Sequence, residues 1–141
     1  VVEILAASKE RDLAIVRLEK PDGGFPFVSL SDGDPVGTVV RVVSHPAGRF
    51  YTLSEGIVAR YFIDSSTKTE RIQITADYAR GSSGSGVFNP QGQLTGVVSS
   101  TKSIYYSKSK GVQRDLQMVI KSCIPVSGVK ALFTAEPTDA E

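Results

Sequence analysis

A single cysteine, Cys123, among 141 residues leaves no partner for an intrachain disulfide and excludes a metal site built on cysteine ligands. No positively charged start runs into an apolar stretch with a small-residue cleavage site, so no signal peptide is visible. Val1-Val2-Glu3-Ile4-Leu5 reads instead as though it started inside a strand. Neither sign of charge dominates. Sixteen basic residues against fifteen acidic ones leave +1, so no global field draws the chain to nucleic acid or an anionic membrane. A Gly-x-x-x-x-Gly-Lys phosphate loop, metal-ligand spacing and an aromatic-basic stripe are all missing. The expectation is no cofactor, no metal, no nucleic-acid partner and no membrane insertion. Histidine occurs once, as His45.

What is present is a globular composition, 40% hydrophobic and 22% charged, in a chain the length of one domain. Short runs rich in β-branched residues recur between Gly, Pro and Asp turns about 8–12 residues apart, which predicts an all-β barrel or sandwich. Thr38-Val39-Val40-Arg41-Val42-Val43-Ser44, Tyr51 to Tyr61, Arg71-Ile72-Gln73-Ile74 and Leu94 to Ser100 read as strands. Asp64 to Thr67 closes a hairpin. Tyr105, Tyr106 and the Lys102, Lys108, Lys110 cluster are placed in a polar loop, before a last strand from Met118 to Pro125. A short closing helix follows, capped by Ser127 with Val129, Leu132 and Phe133 on its buried face. Thr134 to Glu141 reads as an acidic tail.

The chain is organised around Arg80-Gly81-Ser82-Ser83-Gly84-Ser85-Gly86-Val87-Phe88-Asn89. Glycines on both sides of a hydroxyl allow a tight turn that exposes it and aims successive N–H groups at one point. A flexible Gly/Ser linker has the same composition, but linkers are seldom bounded by buried strands on both sides. Gly81-Ser82-Ser83-Gly84-Ser85-Gly86 resembles the Gly-Asn/Asp-Ser-Gly-Gly/Ser-Pro signature of trypsin-like serine proteases. The continuation is especially similar to the HtrA and glutamyl endopeptidase branches. Asp12-Leu13-Ala14-Ile15-Val16-Arg17-Leu18 resembles the segment that carries the catalytic aspartate in the same family. His45-Pro46-Ala47-Gly48 with Ser54-Glu55-Gly56-Ile57-Val58, Gly96-Val97-Val98-Ser99, and Ile124 to Phe133 resemble later segments of HtrA-like domains.

The resemblance implies a trypsin-like double β-barrel at residues 1–133. Its first barrel would be incomplete (1–28), its second complete and six-stranded (29–126), and a helix (127–133) would precede a tail (134–141). It implies a serine endopeptidase with Ser83 as nucleophile, Asp12 as the acid of the triad, and the N–H groups of Gly81 and Ser83 as oxyanion hole. A peptide or protein substrate would lie along Ser99, Ser100 and Thr101 by strand addition. Asp77, six residues before Ser83, stands at the offset of trypsin's basic-specificity acid, and in the HtrA-like alternative it braces the loop. The family also implies an extracytoplasmic location.

Trypsin-like enzymes run His, Asp, Ser along the chain, whereas His45 follows Asp12. His45 therefore falls at a strand end that the family fills without catalytic use. The expectation is that the chain starts after the histidine-bearing strands and is inactive by itself. Exposed strand edges near Val1 to Leu18 would favour homo-oligomers. The rival readings are a non-catalytic peptide-binding module and a purely structural β-barrel fragment.

Overall fold

The computed structural model describes residues 1–134. Strands β1 (Glu3–Ser8) and β2 (Leu13–Arg17) form a two-stranded antiparallel ribbon. Six strands then build a closed barrel: β3 (Val39–Ser44), β4 (Thr52–Ile63), β5 (Glu70–Ile74), β6 (Gly86–Phe88), β7 (Leu94–Ser109) and β8 (Val112–Pro125). Their order around the wall is β3-β4-β5-β8-β7-β6, closed where Arg41 and Val42 pair with Phe88 and Val87. Helix α1 (Val126–Thr134) packs back on β7, β8 and the ribbon.

Alternation decides what fills the barrel. In β3, Val40, Val42 and Ser44 point inward and Val39, Arg41 and Val43 outward, the period of two that a strand imposes. Val58, Ile72, Ile74, Val87, Val98 and Cys123 complete a dry interior, each no more than 2% exposed. Segment 29–31 is stitched to the start of β7 by Ser31 N–H to Leu94 O (2.9 Å) and Leu94 N–H to Ser29 O (2.8 Å). The β4–β5 turn is held by Asp64, whose Oδ1 accepts from the N–H groups of Ser66 and Thr67, both at 2.9 Å. Those bonds, with the Ser66 hydroxyl first among them, hold the Asp64 carboxyl well below the usual carboxylate range.

Two local expectations are corrected. The stretch with Tyr105, Tyr106 and the lysines is no loop: β7 runs to Ser109, and the returning strand begins at Val112 rather than Met118. The two-residue turn Lys110-Gly111 has positive φ at both positions (47° and 79°), the geometry that matches strand twist in tight hairpins. The lysines do not oppose the strand because the hairpin is solvated at Lys102, Lys108 and Lys110. Helix α1 begins at Val126, so Ser127 lies inside its first turn and not at the cap: its hydroxyl donates to Glu70 Oε2 (2.7 Å), and Phe133 is exposed while Val126 and Leu132 are buried.

Candidate active site

The serine loop leaves β5 and returns into β6 through a series of backbone bonds. Ser82 N–H donates to Ala79 O (3.1 Å), Ser85 N–H to Ser82 O (3.0 Å), and Ala47 N–H to Arg80 O (2.7 Å). Gly84 N–H donates to Val98 O and Val98 N–H to Ser85 O, both at 2.9 Å, so the loop is clamped to β7. Gly81 has φ of +97°, and a Cβ there would lie 2.8 Å from His45 O, so only glycine fits. The loop buries Ser82 completely and leaves Ser83 exposed. Among the described residues, the N–H groups of Gly81 and Ser83 make none of the turn bonds and remain free to donate.

Asp12 lies in the tight connection between β1 and β2, in the left-handed region (φ 60°). Its Oδ2 accepts from the Ser99 hydroxyl (2.8 Å), while the Ser83 hydroxyl donates to the Ser99 carbonyl (3.1 Å). Ser99 thus gathers the two residues, one through its side chain and one through its main chain. The ribbon is tethered by Arg71, only 7% exposed, whose guanidinium donates to Arg11 O and Glu10 O, both at 3.1 Å. Asp12 and Ser83 open onto one cavity of about 460 Å³, whose other walls include Leu13, Val98, Val129 and Leu132. His45 lines neither cavity that Ser83 touches. Its Nδ1 accepts from Tyr51 N–H (3.0 Å), and its ring packs against Phe50 and Tyr51.

Ser99, Ser100 and Thr101 wall a second cavity at Ser83, of about 100 Å³, with Tyr78, Ala79, Arg80 and Val98. Asp77 does not line it. The Asp77 carboxylate is 88% exposed and pairs with Lys121 Nζ (2.7 Å), and its carbonyl accepts from the Ser54 hydroxyl (2.6 Å). Tyr78 takes the inward place, its hydroxyl 2.9 Å from both Ser100 O and Ser122 O. Burial pushes the Tyr78 hydroxyl far above the ordinary phenol range and the Cys123 thiol, 3.6 Å away, up to about 12, so both stay protonated. The sequence reading missed Tyr78. The signal was present: Ile72, Ile74, Ala76 and Tyr78 continue one buried alternation past the end of β5.

The model of the trypsin-like peptidase domain family matches residues 1–97. A probable periplasmic serine protease do/HhoA-like of Haemophilus influenzae is 31% identical over 101 residues, 67% of this chain and 22% of that protein. A probable periplasmic serine endoprotease DegP-like of Marinomonas sp. is 28% identical over 136 residues, 94% of this chain and 28% of the relative. The chain therefore spans less than a third of the length of either relative. Among solved structures, the HtrA-type protease AlgW with decapeptide superposes with a TM-score of 0.68 at 22% identity, covering 94% of this chain and 39% of that one. That likeness concerns the fold alone. On the family match over most of its length, the chain belongs to the trypsin-like peptidases.

Proposed function

We propose that this chain carries the serine and aspartate of an HtrA-type serine endopeptidase. The observation that supports it is the double hydrogen bond through Ser99, which sets Ser83 and Asp12 on one cavity. In the proposed reaction, Ser83 Oγ attacks the carbonyl carbon of the scissile peptide as its proton passes to an imidazole oriented by Asp12. The N–H groups of Gly81 and Ser83 receive the negative charge that develops on the carbonyl oxygen. The protonated imidazole gives its proton to the leaving amine, and water then releases the acyl group from Ser83. His45 is engaged elsewhere, so the imidazole comes from a histidine other than those described. The 141 residues alone would retain only residual catalysis. The cavity of about 100 Å³ at Ser83 is the smaller of the two that Ser83 lines, and no acid is among its walls, which suits a small side chain at the cleaved residue rather than arginine or lysine. Asp77 then acts in bracing, through Lys121 and Ser54. The relatives' periplasmic names favour an extracytoplasmic location.

A fluorophosphonate probe tests the reading. Slow labelling that is accelerated by added imidazole and abolished in Ser83→Ala is expected. Labelling that persists in Ser83→Ala would remove Ser83 as nucleophile, and rapid labelling without imidazole would show a base already in place. The displaced imidazole position favours one other reading, a peptide binder without catalysis. In that case imidazole would not accelerate labelling, although peptides would still bind.

A further inference from the structure

Next to the small pocket at Ser83 lies a larger cavity of about 330 Å³. The β4–β5 hairpin contributes Arg60, Asp64 and Arg71 to its wall, and β7 contributes Ser99, Ser100 and Lys102. Ser99 and Ser100 also wall the small pocket, so the two are adjoining compartments along one piece of strand.

The charges of this wall do not cancel. Arg60 Nε donates to the neutral Gln73 Oε1 (2.8 Å), and its guanidinium lies 4.5 Å from the centroid of the Phe62 ring. Arg71 is held by two main-chain carbonyls. Among the described residues, neither arginine nor Lys102 takes part in an ion pair. The single acid of the wall, Asp64, directs Oδ1 at the donors of its own turn. Arg60 and Lys102 thus bring unpaired positive charge to a cavity whose one carboxylate is turned, through Oδ1, to its own hairpin, an arrangement that draws an anion.

The path by which an anion would arrive follows from the edge of β7. β6 pairs with β7 only as far as Val97, and the main-chain bonds of the serine loop end at Val98, with the Ser83 hydroxyl reaching one carbonyl further, to Ser99 O. From Ser99 onward that side of β7 has no strand neighbour among the described residues, whereas the other side is paired with β8. Every strand pair of the barrel is antiparallel. A peptide added in the same sense, with its scissile bond at Ser83, would set its upstream residues against the part of β7 that leads to Lys102. It would advance about 3.4 Å per residue with side chains on alternating faces.

We propose that the cavity walled by Arg60, Arg71 and Lys102 is a subsite for an acidic side chain of the substrate, upstream of the cleaved bond. This rests on the placing of the scissile bond at Ser83. The substrate class is a peptide with a small residue at the cleaved position and an aspartate or glutamate a short distance before it.

The test is binding, which needs no catalytic base. Fluorescence anisotropy would follow short labelled peptides that end their upstream half in alanine, with glutamate scanned through each preceding position against glutamine. One position should show about tenfold tighter binding for glutamate, the scale of a charge-assisted hydrogen bond. The gain should shrink as salt is raised and vanish in the double variant Arg60→Gln, Lys102→Gln. No glutamate preference at any position, or a preference that survives the double variant, overturns the subsite. Ser83→Ala separates the two claims: a glutamate preference kept in a chain whose labelling does not depend on Ser83 supports the subsite and sinks the nucleophile. Serine-dependent labelling with no glutamate preference does the reverse.

Discussion

The barrel and the ribbon share one chain and one candidate site, yet they are built to different standards. In the barrel, β3 alternates cleanly between a buried interior and solvent, and closure leaves β3 and β6 paired on both sides. No residue of β1 or β2 is fully buried, and Ile4 and Val16 remain 65% and 42% exposed. Ser83 stands on the first and Asp12 on the second. A hydroxyl clamped by a barrel wall is therefore matched to a carboxylate whose position depends on a few tethers: Arg71, Ser99 and the packing of α1. Precision at the site is limited by its less supported half.

The largest effect that could break this contrast is in the core. Ile72→Ala should lower the stability of the chain by about 2–5 kcal/mol, the range for truncating a buried aliphatic side chain, whereas Ile4→Ala should stay within about 0.5 kcal/mol. Urea unfolding of both variants measures this, and similar midpoint shifts would show that ribbon and barrel form one cooperative core. A smaller effect isolates the tether. Arg71→Met keeps the buried stem but loses both bonds to the ribbon carbonyls, so amide exchange in β1 and β2 should accelerate at least about tenfold while the barrel amides keep most of their protection. Uniform acceleration in both regions would contradict a tether that acts locally.

The smallest effect concerns the barrel rim and depends on pH. The folded carboxyl of Asp64 titrates below its ordinary value of 3.8, so its contribution is complete above the unfolded value and is lost as pH falls towards the folded one. Asp64→Asn should therefore lower the thermal midpoint at pH 7, and its deficit relative to the parent should narrow below about pH 4. A deficit that widens on acidification would show that the turn does not rely on the ionised form.

The sequence made the barrel legible where one physical rule governs the residues. Runs of β-branched residues marked the strands that carry Val40, Val42, Ile72 and Ile74, all of which the barrel turns indoors, and the glycine pattern located an exposed Ser83 between buried strands. Legibility failed where packing decides. Nothing local says that the Ser99 side chain turns to Asp12 while its carbonyl serves Ser83, because that depends on how a distant ribbon meets β7. The same holds for Asp77 and Tyr78: offset along the chain pointed to the acid, but the strand's alternation carries the tyrosine inward and leaves the acid outside with Lys121. The lysines around Tyr105 and Tyr106 mark a solvated stretch, which by sequence reads as a polar loop. A hairpin arm reconciles both, since its surface is wet.

The clamp of the serine loop on Val98 also has a bearing on timing. β6 is only three residues long, and it closes the barrel by pairing with β3, far back in the chain, and with β7, which is itself held by β8. Non-local pairings of this kind form late in folding, after their loop-closure entropy has been met. The geometry at Ser83 therefore cannot mature on a nascent chain until β8 has joined the wall, so an immature chain presents an ordinary flexible serine where the finished one presents an aimed hydroxyl.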